Sequence, residues 1–141
     1  MTSVQPVQSH PTTPRETNAI HRTVNRYALG LRNGSVKTLK EAFRPQALVS
    51  GYIERERFVK PVSFLYEYVR KNASPAKLGA DFRFRIDDIA ISGKTATVRL
   101  SEHNYLGFDY TTYLQLMKIG ARWWIVSKLF NGIATSRGSV A

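Results

Sequence analysis

The stretch 110-YTTYLQLMKIGARWWIVSKLF-130 decides the fold, because apolar side chains occupy both parities of a strand-like run. A strand with one wet face alternates apolar and polar residues. Here the adjacent Trp123 and Trp124 begin two interleaved apolar rows that end at Leu129 and Phe130. We therefore expect a strand that is covered by helices on one face and by a second copy of the chain on the other. Coverage of the second face by the chain termini or by a bend in the strand is the alternative.

Length and composition indicate one domain. The chain has 141 residues, enough for a single core, and no cysteine, which excludes disulfides and thiolate zinc sites. Residues 1–16 lack the basic and apolar regions of a secretory signal, and no apolar run is long enough to span a bilayer. We therefore expect a cytoplasmic protein without a membrane partner.

The formal net charge of +11 raises the question of a nucleic-acid partner. The cations are spread from Arg15 to Arg137, and the densest cluster, ERERFVK at 54–60, carries its own glutamates. No arginine-rich arm and no aromatic RNA-binding signature accompany them. The pattern favours a solvated basic surface over a nucleic-acid interface.

Helical periodicity dominates the first half of the chain. The motif TPRE at 13–16 is a capping signature for a first helix, whose apolar stripe ends before Gly34. Ser35 is positioned to cap a second, shorter helix. A short strand is predicted at 47–53 and a third helix at about 57–71.

From residue 81 onward the apolar period changes from helical spacing to two. The alternation breaks at Asp87, which predicts a bulge, and two long strands are predicted at about 108–118 and 122–131. Segregated helices and antiparallel strands define an α+β fold, with three helices on the concave face of a strongly curved, mostly antiparallel sheet.

The predicted domain covers residues 13–132. We expect residues 1–12, rich in Pro, Thr, Ser and Gln, to form a disordered tail, and residues 133–141 to form a flexible C-terminal tail.

The order of motifs resembles the nuclear transport factor 2-like superfamily over the whole predicted domain. The matching motifs are RY at 26–27, NG at 33–34, AF-x-P at 42–45 and G-x-x-W-x-I-V-x-K at 120–128. The final hairpins are most similar to the subgroup called "Putative lumazine-binding", with polyketide cyclases among the related members. The resemblance implies a cystatin-like cone with an apolar pocket, and dimers are common in this superfamily.

The ketosteroid isomerase of this superfamily provides a residue-by-residue comparison. Its oxyanion-binding tyrosine corresponds to Tyr27. Its general base corresponds to the region of Ser50 and Gly51, and its second oxyanion donor, an acid, to Thr112; none of these is acidic here. The resemblance therefore implies that isomerase chemistry has lost its base. Tyr27 is equally consistent with a core tyrosine whose hydroxyl bonds to the backbone.

Other candidate site residues are aromatic or cationic. The predicted pocket residues are Tyr27, Tyr52, Phe64, Tyr68, Tyr110, Thr112, Trp124 and Lys128. Lys128 shares a parity with Trp124 and would pair with an acidic ligand, or extend its amine to the pocket mouth. His103 is a weak candidate for a proton shuttle, and a surface histidine is the favoured interpretation. No spacing typical of a metal site, and no phosphate-binding or dinucleotide motif, is present, so no cofactor is predicted.

Three functions fit these observations. The favoured one is a binding protein for an unidentified small molecule. The alternatives are an enzyme of the dehydratase, cyclase or isomerase type that uses Tyr27 as a polar pocket group, and an interaction or dimerisation module with a filled pocket. A titratable group within hydrogen-bond reach of a cavity beside Tyr27 would favour the enzyme.

Overall fold

The structure, a computed structural model, describes residues 13–78 and 81–136. Its elements in chain order are α1 (Pro14–Asn33), α2 (Val36–Lys40), β1 (Phe43–Ile53), β2 (Glu56–Pro61), α3 (Val62–Asn72), α4 (Pro75–Leu78), β3 (Arg83–Ser92), β4 (Thr95–Tyr105), β5 (Phe108–Ile119) and β6 (Arg122–Ala134). The helices pack on one face of the sheet, which confirms the predicted α+β class.

The sheet has six strands in the order β2-β1-β6-β5-β4-β3, and it stays open. The pairing of β1 with β6 is parallel, and the other pairings are antiparallel. The register of β3 against β4 shifts between Ile86 and Asp88, which confirms the predicted bulge at Asp87. Bulges increase the local twist and bend a strand, so they help to curve the sheet around the helices.

Helix α1 is capped at both ends as its sequence predicts. The Thr13 hydroxyl accepts a hydrogen bond from the Glu16 amide at 3.3 Å. The chain leaves the helix through Gly34 at φ 65°, a left-handed conformation that favours glycine. The apolar stripe of α1 is buried against the sheet, where the Thr23 hydroxyl donates to the Trp123 carbonyl at 2.8 Å. Helix α1 is therefore fixed across β6.

The predicted third helix begins too early. Residues 56–61 form strand β2, which pairs antiparallel with β1, and α3 starts only at Val62. Pro61 explains the boundary, because a proline disfavours helical geometry in the preceding residue and is itself extended here, with ψ 161°. Some apolar residues that were predicted to belong to the helix therefore belong to an edge strand.

A bulge in β6 answers the question raised by the adjacent tryptophans. Gln115 pairs with Ser127 and Leu116 with Ile125, so Val126 has no partner on β5. Trp123 and Ile125 face the helices before the bulge, and Lys128 and Phe130 do so after it. The change of parity accounts for part of the two-sided apolar pattern.

The rest of that pattern comes from the outer face of β1, β6 and β5. We call this surface the neutral face; it consists of Leu48, Ser50, Tyr52, Thr111, Tyr113, Gln115, Ser127, Leu129 and Asn131. None of these side chains is charged, and Leu48 and Leu129 are each 52% exposed. Exposed apolar side chains in one patch are typical of an interface.

Strand β6 continues to Ala134, two residues beyond the predicted domain boundary at 132. The predicted disordered tail at 1–12, and residues 137–141 of the predicted C-terminal tail, lie outside the described residues. Within the described ranges, none of the helices is both long and apolar enough to cross a membrane.

Candidate functional site

A cavity of about 110 Å³ lies between the helices and the concave face of the sheet. Its walls are formed by Leu31, Val49, Ile53, Phe58, Phe64, Leu65, Tyr68, Glu102, Tyr105, Tyr110, Lys128 and Phe130. Most of this lining is aliphatic or aromatic, whereas Glu102 and Lys128 bring charge into it. A mainly apolar cavity with few polar groups is the usual form of a small-molecule site.

Glu102 is the central polar group of the cavity, and its side chain is almost fully buried, with 3% of the residue exposed. The Tyr27 hydroxyl donates to Glu102 Oε2 at 2.9 Å, and the Thr112 hydroxyl donates to Oε1. Each carboxylate oxygen has a second lone pair available, so Glu102 can still accept a ligand proton. Buried charges need such partners, and here both come from uncharged hydroxyls.

The register of β4 places Glu102 in the cavity. Ala96, Val98 and Leu100 face the core, and period-two alternation carries the same face to Glu102. Thr112 on β5 pairs with Leu100, one step along the same face, so its hydroxyl reaches the carboxylate. Glu102 was not among the predicted site residues, although the alternation of β4 places it two residues beyond Leu100 on the same face.

Tyr27 acts as a hydrogen-bond donor to Glu102. It is fully buried, and burial raises its pKa well above the ordinary value, an effect that the negative charge of Glu102 reinforces. The hydroxyl therefore keeps its proton. Among the described residues, the Tyr27 hydroxyl makes no backbone hydrogen bond of the kind expected for a simple core tyrosine. It contacts the carboxylate that lines the cavity.

Lys128 brings a buried amine to the same cavity, with 8% of the residue exposed. Its Nζ lies 5.1 Å from the Tyr27 ring centroid and 5.5 Å from that of Phe130. Among the described residues, no carboxylate lies within 4.0 Å of this amine. Burial lowers the pKa of Lys128, and the charge of Glu102 only partly opposes this effect.

Three further tyrosines line the cavity. The Tyr105 hydroxyl has a long hydrogen bond of 3.4 Å to the Leu31 carbonyl. Within the described ranges, the hydroxyls of Tyr68 and Tyr110 make no hydrogen bond to another protein group. Burial raises the pKa of both, so they are protonated and can donate to a ligand oxygen.

His103, the other candidate for catalysis, lies on the opposite face of β4 from Glu102. Its Nδ1 is 3.0 Å from Asp109 Oδ1, and its side chain is 42% exposed. Burial of Asp109 opposes ionisation, but hydrogen bonds from the Asn104 amide, the Thr135 hydroxyl and His103 lower its pKa. His103 is thus a surface histidine with an acidic partner, away from the cavity.

The structure distributes the predicted pocket residues over both faces of the sheet. Phe64, Tyr68, Tyr110 and Lys128 line the cavity, and Tyr27 and Thr112 contact it through Glu102. Tyr52 and Trp124 do not, which corrects their assignment to the pocket.

The bulge explains why Trp124 and Lys128 face opposite ways despite their shared parity. Trp124 lies outside, where the guanidinium carbons of Arg122 and Arg44 lie 4.2 Å and 5.8 Å from its ring centroid. Tyr52 is 47% exposed on the neutral face. Among the described residues, no cluster of three acidic or histidine side chains could hold a metal ion.

The helices, the curved open sheet and the cavity between them define the class of nuclear transport factor 2-like proteins, as solved structures confirm. A protein of this class from Methylobacillus flagellatus KT superimposes with a TM-score of 0.80 at 25% identity, covering 88% of this chain and 97% of that one. One from Shewanella baltica OS155 has a TM-score of 0.78 at 23% identity, covering 87% and 98%. Both are described as proteins of unknown function.

Sequence comparison identifies the family within this class. Residues 15–131 match the family described as "Putative lumazine-binding", so the chain belongs to that family. A relative named "Aldolase FrzH", from Cladobotryum sp, is 32% identical over 120 residues, which cover 84% of this chain and 93% of the relative.

Proposed function

We propose that the chain binds a small, mainly apolar carbonyl compound in the cavity between the helices and the sheet. The observation that carries this proposal is a buried carboxylate and a buried amine, Glu102 and Lys128, in walls that are otherwise aliphatic and aromatic. Apolar walls favour a hydrocarbon body, and the hydroxyls of Tyr68 and Tyr110 can donate to a carbonyl oxygen. Membership of a family named for lumazine binding supports a small-molecule ligand.

The size of the cavity limits the ligand. Its volume of about 110 Å³ is below the ~300 Å³ at which drug-sized pockets begin. It is closer to the ~150 Å³ of a cavity that holds benzene. A six-membered cyclic ketone such as cyclohexanone is therefore a suitable probe. The open volume also argues against an interaction module whose pocket is filled by side chains.

Binding is tested by titrating methyl-labelled protein with cyclohexanone and recording NMR spectra. The methyl signals of Leu31, Val49 and Leu65, which line the cavity, should shift with saturation. Those of Leu48 and Leu129 on the neutral face are the internal control and should not move. Shifts restricted to the neutral face, or none at saturating ketone, would overturn the proposal.

An enzymatic role is the second candidate, and Glu102 favours it. The carboxylate is a titratable group at a cavity beside Tyr27, which is the arrangement that favours an enzyme. Glu102 would take a proton from the carbon next to the ligand carbonyl. The electron pair of that C–H bond forms a C=C bond, and the carbonyl oxygen receives the negative charge. Aldol addition, dehydration and cyclisation all begin with this step, and one relative is named an aldolase.

The rate of hydrogen–deuterium exchange at the α-carbon of cyclohexanone in D₂O tests catalysis without knowledge of the natural substrate. The protein should accelerate exchange, and Glu102→Gln should reduce the acceleration by about 10²–10⁴-fold, the usual contribution of a general base. Thr111→Val, on the outer face of β5, is the control. Equal exchange in Glu102→Gln and wild type would remove Glu102 as the base and leave the binding proposal intact.

The neutral face supports a proposal about assembly: two copies pack through it as an isologous homodimer. The chain has a net charge of +11, so two copies repel each other over most of their surface. The neutral face lacks charge and exposes Leu48 and Leu129, which makes it the surface best suited to self-association. The cytoplasmic location expected from the sequence stays a prediction.

A further inference from the structure

We propose that the Lys128 amine forms a covalent imine with the carbonyl carbon of the ligand. This inference rests on the proposed binding of a carbonyl compound in the same cavity. It assigns Lys128 the role of a nucleophile, which differs from pairing with an acidic ligand or extending to the pocket mouth.

The position of Lys128 supports nucleophilic attack. The side chain is buried in the cavity wall, and its Nζ lies over the rings of Tyr27 and Phe130, with centroid distances of 5.1 Å and 5.5 Å. The ring faces attract the amine only weakly, as cation–π contacts do. No carboxylate of the described residues approaches this amine within 4.0 Å. A lysine used only for an ion pair would have a carboxylate in contact.

Burial of the side chain favours the neutral amine, which is the reactive form. Desolvation lowers the pKa of Lys128, and the charge of Glu102 compensates only in part. A lysine in an apolar pocket is one of the recognised ways to activate an amine for imine formation. Lys118 provides a contrast, because its Nζ is 2.7 Å from Glu16 Oε1 and its side chain is 28% exposed.

The chemical step balances without an added oxidant or reductant. The ammonium first gives up one proton. The neutral amine then attacks the carbonyl carbon, a C–N bond forms as the π bond of the C=O group breaks, and a proton passes from the nitrogen to the oxygen. The hydroxyl of this carbinolamine takes a second proton and leaves as water, which gives a C=N bond. In total, an ammonium and a ketone become an iminium and water, with unchanged charge.

Glu102 fits this step as the proton carrier. It lines the same cavity, so it can accept a proton from the nitrogen and return it to the departing hydroxyl. The resulting iminium withdraws electrons more strongly than a ketone does. It would therefore assist the removal of a proton from the neighbouring carbon, the step assigned above to Glu102.

Reductive trapping tests the proposal. The full chain is incubated with cyclohexanone and sodium cyanoborohydride near neutral pH, and intact mass and peptide maps are recorded. We expect a single adduct, with the added mass of the ketone less its oxygen, on Lys128. Lys118 in the same sample is the internal control and should stay unmodified. Adducts spread over surface lysines, or no adduct while the NMR titration detects binding in the cavity, would overturn the proposal.

Two variants separate chemistry from folding. Lys128→Arg keeps the positive charge but cannot form an imine, and Lys128→Met keeps an unbranched side chain without charge. Both should lose the adduct completely. Well-dispersed methyl signals of Leu31, Val49 and Leu65 in the NMR spectrum of each variant show that the cavity is folded, which separates loss of the covalent step from loss of the site. An adduct of equal yield in either variant would assign the reaction to another lysine.

Discussion

Removing the Tyr27 hydroxyl tests the polar centre of the cavity. In Tyr27→Phe, the Oε2 of the buried Glu102 loses a donor at 2.9 Å while the ring and its packing remain. Hydrogen bonds to charged groups contribute about 1.5–3 kcal/mol. We therefore expect the free energy of unfolding to fall by about 2 kcal/mol. For a domain of this length, that corresponds to a decrease of about 6–8 °C in the melting temperature.

Tyr105→Phe is the matched control for this prediction. It removes the same hydroxyl from a buried tyrosine at the same cavity, but the bond lost is 3.4 Å long and joins uncharged groups. Such a bond contributes about 0.5–1 kcal/mol. Urea denaturation of the two variants beside wild type measures the difference. If Tyr27→Phe costs no more than Tyr105→Phe, the bond to Glu102 is not a charge-assisted one and the reasoning is refuted.

Further predictions concern the buried amine, the backbone and the assembly. Since burial lowers the pKa of Lys128, the unfolded chain binds more protons between that lowered pKa and 10.5. The free energy of unfolding of wild type should therefore rise relative to that of Lys128→Met as the pH rises through this window. A difference between the two proteins that does not change with pH would refute this. Gly51→Ala should cost about 3 kcal/mol or more in urea unfolding, since its Cβ would lie 1.9 Å from the Phe130 carbonyl oxygen. Gly93→Ala, also at positive φ but in open space, should cost about 1–2 kcal/mol, and equal costs would refute the close approach. Leu129→Lys should weaken a sedimentation-detected dimer by at least about tenfold, whereas Leu29→Lys, equally exposed at 52%, should not; a monomeric wild type would refute the homodimer.

The sequence predicted the elements with strong periodicity or caps. Helix α1 follows from its capping signature and apolar stripe, and the bulge at Asp87 follows from the break in alternation. Strand β2 was assigned to a helix because a short run with Phe58 and Val59 fits both periods. What decides between them is pairing with β1, a contact that local sequence does not encode.

The candidate site was predicted only in part. Tyr27, Thr112 and Lys128 were named individually, but their common partner was not. Glu102 was not predicted because the acid of the isomerase corresponds to position 112 on β5. The acid present in this chain lies on the neighbouring strand, β4. The position of Lys128 depends on the bulge at Val126. The run WWIVSK contains no glycine or proline that would predict this bulge. The pairing register between strands therefore determines which side chains face the cavity, and alternation along a single strand does not predict it.

The most direct test of the account is whether the cavity distinguishes a carbonyl from a hydrocarbon of the same shape. Calorimetric titration of wild type with cyclohexanone and with methylenecyclohexane compares a C=O with a C=CH₂ in one ring. The account predicts that the ketone binds about 2–10-fold more tightly, the worth of one hydrogen bond between uncharged groups. Equal affinities for the two compounds, or no binding of either, would contradict it.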